Sequence, residues 1–273
     1  MISSDFFAEY ARHRSAEGRG YRGHELLSLP YLKNGPFARQ WQVRARTYEA
    51  FVAEVIMPMG LASRPLEILD LGAGNGWLSY RLARLGHRAS ALDIRDDEVD
   101  GLGAANEFLG REPGVFSCIV GQFEDIPVTD GSFDIAVFNA SLHYARDLAQ
   151  VLAEARRVVR PGGVLAIMDS PFYLREADGD AMVAEKRARG ETLFGTRSAI
   201  LLEPKFAEYL TPRRLSEASP GLTWQRHRVR YPLWYEFRPL FAWFRGKRHP
   251  SRFDLWTAQM PSGRQPARHA QAP

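Results

Sequence analysis

The chain has 273 residues, 45% hydrophobic and 25% charged, the balance of a soluble globular protein with one generous domain or one domain plus an appendage. No run approaches the roughly 20 apolar residues that span a bilayer, the N-terminus MISSDFFAEYARHRSAEGRG has no apolar core behind a basic start, and the single cysteine, Cys118, excludes an intramolecular disulfide framework; a reducing cytoplasm is the expected compartment. The net charge of +4 is uneven: thirteen basic and four acidic residues lie from Lys205 onward, which indicates either an anionic partner or a solvated basic face.

Residues 1–64 read as a helical N-terminal cap rich in arginine and aromatics, broken at Leu29-Pro30 and Asn34-Gly35-Pro36. From residue 65 short apolar runs alternate with helical patterns. LEILDLG (Leu66–Gly72) is a strand followed at once by glycines, and WLSYRLARLG (Trp77–Gly86) has helical spacing and a closing glycine. RASALDI (Arg88–Ile94), VFSCIVGQ (Val115–Gln122) and FDIAVFNA (Phe133–Ala140) are further strands. LAQVLAEARRVVRPGG (Leu148–Gly163) reads as a helix stopped by Pro-Gly-Gly, and VLAIMDSP (Val164–Pro171) as a fifth strand. Such alternation implies a parallel sheet covered on both faces, with ligands gathered at one edge of the strand ends. Cys118, inside a strand pattern, is expected to be buried.

The stretch Asp70-Leu71-Gly72-Ala73-Gly74-Asn75-Gly76 sits between a strand and a helix. Glycines there permit a sharp turn and close approach of a ligand to the backbone. The dinucleotide fingerprint would need a third glycine at position 77, which is Trp77, and an indole there obstructs a pyrophosphate. Asp70 ends the first strand and Asp93 the second, where a carboxylate suits a ribose diol. The implied ligand is a nucleoside with a cationic or zwitterionic attachment.

LDLGAGNG, ALDI, GQFEDIPVTDGSFDIAVFNASLHY and RRVVRPGGVLAI, in that order, resemble the class I S-adenosylmethionine-dependent methyltransferases, most of all the small-molecule group that includes the quinone-biosynthesis C-methyltransferases. The resemblance covers roughly residues 64–171. It implies an α/β fold: a Rossmann-like, seven-stranded, mostly parallel sheet with an antiparallel last strand, helices on both faces and helical lid insertions. LTWQRHRVR (Leu222–Arg230) and RFDLWTAQM (Arg252–Met260) are candidates for the last two strands, which makes residues 65–261 one methyltransferase domain with insertions at about 172–215 and 231–250. The first insertion reads as two helices with a mobile connection around Phe194-Gly195 and a break at Pro204. The tail 262–273 is expected to be disordered.

The resemblance also implies roles. Gly72, Ala73, Gly74 and Gly76 would line the methionine portion of S-adenosylmethionine, with Asp70 organising the loop and meeting the amino group. Asp93 would accept from both ribose hydroxyls and Ile94 would pack on adenine. In the pattern GDAEDLPF an aspartate meets the adenine amino group; here Gln122, followed by Phe123, takes its place, and an amide oxygen can still accept. Asn139 would lie near the sulfonium. Arg44 either pairs with the cofactor's carboxylate or faces solvent. His143 and Tyr144, after the fourth strand, are the candidate catalytic residues, His143 being either a general base or a structural loop residue. The seven histidines show no paired ligand spacing, so no metal is expected. The aromatic cluster Tyr231–Phe244, followed by Arg245, Lys247 and Arg248, has three readings: a helix packed on the sheet, a roof over an apolar acceptor pocket, or a helix at a lipid surface.

The expected activity is methyl transfer from S-adenosylmethionine to O, N or C of a small, partly apolar acceptor. A nucleic-acid methyltransferase using the basic C-terminal quarter is the second reading, although Asn139-Ala140-Ser141-Leu142 lacks the Asn/Asp-Pro-Pro-aromatic motif suited to a flipped base. A protein of this fold that binds the cofactor without transferring methyl is the third. Peripheral membrane contact stays open, and the oligomeric state is not legible.

Overall fold

A computed structural model describes residues 4–16, 18, 20–60, 64–194 and 205–262. The expected mobile connection after Phe194, the Pro204 break and all but the first residue of the tail lie outside them. The N-terminal helices are α1 (Ser4–Ala16), α2 (Gly23–Ser28) and α3 (Ala38–Phe51), the last continuing through a wide turn at Val52–Ile56 into α4 (Met57–Gly60). Then follow β1 (Glu67–Leu71), α5 (Trp77–Arg84), β2 (Arg88–Asp93), α6 (Asn106–Leu109), β3 (Ser117–Val120), β4 (Phe133–Asn139), α7 (Leu148–Val158) and β5 (Val159–Met168). The C-terminal part supplies α8 (Glu176–Phe194), α9 (Pro212–Ala218), β6 (Trp224–His227), α10 (Leu233–Glu236), α11 (Arg238–Phe244) and β7 (Leu255–Gln259).

The seven strands form one sheet in the order β3-β2-β1-β4-β5-β7-β6. The first five are mutually parallel, and β7 runs antiparallel between β5 and β6. This is the expected sheet. Every residue of β4 is buried, as a central strand covered on both faces requires. Its side chains alternate: Ile135 and Val137 join a core with Phe51, Leu78 and Leu82, whereas Ala136 and Phe138 join one with Val151, Leu152 and Leu215. Among the described residues no helix is long and apolar enough to cross a membrane.

Two expectations are corrected. The helix from Leu148 ends at Val158, four residues before the Gly pair, because Val159 already pairs with Phe133 in the sheet. The ladder resumes at Ile135–Val164, leaving Arg160–Gly163 as a bulge opposite Asp134. A Cβ on Gly163 would stand 2.6 Å from the Asp134 carbonyl oxygen, so glycine is what lets the strands close there. Asp134 clamps the bulge: it accepts from Arg64 Nη2 at 2.7 Å, Arg160 Nη1 at 2.8 Å and the Glu67 amide at 2.8 Å. Burial alone would raise its pKa; these donors more than offset that and hold it well below the usual carboxylate range. The second correction is Cys118, which is exposed. It lies on β3, the strand at the sheet's edge, where Ser117 and Val120 are exposed as well.

Candidate functional site

The turn after β1 is tied to the end of β2. The Gly72 and Ala73 amides both donate to the Leu92 carbonyl, at 2.8 and 2.9 Å, and the Gly74 amide donates to Asp93 Oδ2 at 2.8 Å. Gly72, Gly74 and Gly76 all adopt left-handed φ values, 73°, 54° and 75°. At Gly72 no other residue fits, because a Cβ would stand 2.4 Å from the Ser141 Cβ. Asp93 Oδ1 accepts from the Arg95 amide at 2.9 Å. Each Asp93 oxygen therefore carries one backbone donor and keeps a lone pair for a hydroxyl. Burial raises its pKa.

The ends of β4 and β5 turn away from the sheet at Ala140 and Asp169, both with left-handed backbones, φ 58° and 57°. That places Asn139 and Asp169 side by side, and Arg44 of α3 bridges them: Nη2 donates to Asn139 Oδ1 at 3.0 Å and Nε to Asp169 Oδ2 at 3.2 Å. The guanidinium carbon lies 4.5 Å from the Trp41 ring centroid and 5.4 Å from that of Trp77. Arg44 thus faces inward and is held from four directions. Asp169 is buried, which pushes its pKa up to about 6 despite Arg44.

His143 and Tyr144 follow in a tight turn, Leu142–Tyr144. Their rings lie 4.3 Å apart, and the Tyr144 hydroxyl is 3.1 Å from that of Tyr10 in α1. Phe206 packs edge-on against both Phe6 and Tyr144 and joins α1 to this turn.

These groups line one cavity of about 600 Å³ at the C-terminal ends of β1, β2, β4 and β5. Of the residues singled out from the sequence, it brings together Arg44, Gly72, Ala73, Gly74, Asp93, Ile94, Gln122, Phe123, Asn139, His143 and Tyr144. Gln122 Oε1 is 3.4 Å from Arg146 Nη2, and Phe123 packs edge-on against Phe138. Asp70 and Gly76 lie outside the lining. Asp70 is fully buried beneath the loop, where it accepts from Ser79 Oγ at 3.0 Å, and burial pushes its pKa up to about 7. Gly76 packs against Phe116. No cluster of metal-ligating side chains occurs among the described residues.

The cavity also contains residues that were not read as site residues. Tyr10, Trp41 and Trp77 come from or face the N-terminal helices; Arg238 and Phe253 come from the C-terminal half. Trp77, read only as an obstacle to pyrophosphate, packs edge-on against Trp41 and Tyr48. Asp169 and Tyr173 also line the cavity, from the stretch after the fifth strand that the sequence, with His143 and Tyr144, places toward the transferred methyl. Tyr10 and Arg238 carried no signal in the sequence. The aromatic cluster divides: Tyr231 and Tyr235 are buried in the core, Arg238 lines the cavity, and Leu233, Phe237, Leu240, Phe241, Trp243 and Phe244 are exposed.

A family model described as a methyltransferase domain matches residues 69–167. A malonyl-[acyl-carrier protein] O-methyltransferase of Serratia marcescens is 30% identical over 114 residues, 42% of this chain and 42% of its own length. An arsenite methyltransferase of Aquipseudomonas alcaligenes is 33% identical over 138 residues, 47% of this chain and 38% of its own length. The chain thus spans about two fifths of the curated relatives it matches. The solved structure of the [4+2]-cyclase SpnF shares the fold, with a TM-score of 0.58 at 18% identity, over 95% of this chain and 94% of that one. Residues 69–167 thus match a methyltransferase-domain model, and the strand order around them is the one that the motif resemblance implies.

Proposed function

We propose that the chain is an enzyme that moves a methyl group from S-adenosylmethionine to O, N or C of a small, partly apolar organic acceptor by in-line displacement. The observation that carries this reading is the opening of the glycine loop and Asp93 onto a cavity whose wall also holds Tyr10, Trp41, Tyr173 and Phe253. The residues present suit the cofactor. Asp93 offers paired acceptors to a ribose diol, Ile94 and Phe123 offer apolar walls to adenine, and Gln122 an amide. The buried Asp169 and Arg44, with Asn139, suit a zwitterionic chain. Asp70 acts from beneath the loop through Ser79 rather than on the ligand.

When bound, S-adenosylmethionine supplies an electrophilic methyl carbon on a sulfonium. The chain's part is to hold the acceptor in line with it, where positioning contributes about 7–11 kcal/mol. His143, or Tyr144 beside it, takes the acceptor's proton where one must be lost. Tyr10, Trp41 and Phe206 cover the edge and exclude water, and these covers must move for exchange. The relatives' names favour small or carrier-bound acceptors over nucleic acid. Two of the C-terminal arginines also pair with carboxylates outside that segment, Arg213 with Glu176 and Arg248 with Glu185. The fold shared with a protein named a cyclase keeps cofactor binding without methyl transfer as the second reading. Partners under the leading reading are the acceptor and, through the exposed ridge of α10 and α11, a lipid surface; the expected compartment is the cytoplasm.

Calorimetry tests the reading. S-adenosylhomocysteine binds and NAD binds much more weakly, and Asp93→Ala weakens the former by about 1.5–3 kcal/mol, the range for hydrogen bonds to a charged group. Equal or tighter NAD binding overturns it.

A further inference from the structure

The cationic side chains around the cavity are matched to carboxylates, with one exception. Arg44 pairs with Asp169, Arg95 with Asp97, Arg146 with Glu124, Lys186 with Glu208 and Arg248 with Glu185. Arg238, the first residue of α11, has no carboxylate partner among the described residues. Its side chain is half-buried and lines the cavity. The guanidinium carbon sits 3.8 Å from the Tyr235 ring centroid, and Nη2 donates to the Ser251 carbonyl at 2.6 Å. Nε is buried and has no acceptor. The nearby carboxylates are committed elsewhere: Asp254 to Arg226 and Arg252, Glu236 to Arg252. Arg252 adds a like charge, and with burial it pulls the Arg238 pKa down.

A cation partly removed from water without a counter-charge is costly. The stack on Tyr235 and one carbonyl hold the guanidinium in place but bring it no carboxylate among the described residues. Arg248 lies beside the same wall, where its Nη1 donates to the Tyr173 hydroxyl at 3.0 Å. A planar guanidinium with free donors, fixed by stacking and facing a cavity, is built to receive an oxyanion.

We propose that Arg238 binds an anionic group of the acceptor, a carboxylate or a phosphate, as a handle away from the atom that is methylated, with the acceptor's apolar part lying against Tyr173 and Phe253. The acceptor is then an organic acid or a phosphorylated compound. This rests on the reading of the cavity as an acceptor site.

The test uses the full chain with benzoate, phenyl phosphate and the neutral benzamide as probes, followed by calorimetry, with S-adenosylhomocysteine titrated in parallel. One or both anions bind the unaltered chain at least about tenfold more tightly than benzamide, as expected for a charge-assisted contact. The tighter of the two anions names the handle. Arg238→Gln abolishes the preference, Arg238→Lys keeps part of it, and S-adenosylhomocysteine affinity stays within about twofold in both variants. Benzamide binding the unaltered chain as tightly as the anions overturns the proposal without any variant, and so does an Arg238→Gln chain that keeps the preference. Failure of S-adenosylhomocysteine to bind while the anion preference persists removes the methyl-transfer reading and leaves the anion site standing.

Discussion

Three buried carboxylates set the chemistry at the scale of single residues. Asp70 and Asp169 are pushed by burial to about 7 and about 6. In the folded chain they hold protons that the unfolded chain releases above about pH 4. Their contribution to stability is therefore greatest at low pH and is lost as pH rises from about 4 through about 7. Asp134 has the opposite sign: its pKa is depressed, so its contribution is constant across that window and is lost only at lower pH. The thermal midpoint of the ligand-free chain accordingly falls between pH 5 and pH 8, and Asp70→Asn flattens much of that fall. A variant with the same slope as the parent would place the titrating group elsewhere. His143 is the other residue-scale prediction. On the identified acceptor, His143→Ala lowers turnover by about 10²–10⁴-fold with cofactor affinity unchanged, the range for a general base. Unchanged turnover leaves positioning as the mechanism.

Between residue and molecule, α10 and α11 show how one short segment serves two surroundings. Tyr231 donates to the Phe253 carbonyl at 2.7 Å, and the Tyr235 hydroxyl accepts from the Phe253 amide at 3.0 Å, so the inner side is pinned to the strand end before β7. The outer side leaves Leu240, Phe241, Trp243 and Phe244 in water next to Arg245 and Lys247. An apolar ridge with basic flanks suits the interface of an anionic bilayer. The chain is expected to sediment with phosphatidylglycerol vesicles and not with phosphatidylcholine, and Phe241→Glu with Trp243→Glu abolishes it. No sedimentation with either lipid removes the membrane contact. The three readings of this stretch were not separable from its spacing, because a run in which seven of fourteen positions are aromatic and three more are Leu or Ala has no single apolar face.

At the scale of the whole molecule, the N-terminal helices complete the site. Trp41 is buried, packs edge-on against Trp77 at 5.7 Å, donates its Nε1 hydrogen to the Tyr21 hydroxyl at 2.7 Å and stacks under Arg44. Trp41→Ala is expected to cost about 3–5 kcal/mol in urea unfolding, the range for a buried aromatic, and to speed dissociation of S-adenosylhomocysteine. A loss below about 1 kcal/mol would mean that the cap docks without this indole.

The sequence by itself determined the places of the first five strands and their parallel direction, the glycine turn and the place of Asp93. These follow from local rules: residue alternation, helical spacing and the backbone freedom of glycine at positions such as Gly72. The motif resemblance then named the family and the sheet. Tertiary structure alone decided where Leu148–Val158 ends, since strand pairing at Val159 outcompetes the helix, and whether Cys118 is covered, since only the strand order shows β3 to be an edge. It also decided the far wall of the cavity. Arg44 meets Asp169 across 125 positions, Tyr10 meets Tyr144 across 134, and Arg238 reaches the cavity from a segment after β6. No local pattern encodes such meetings, because they depend on which helix faces find cover once the sheet has formed.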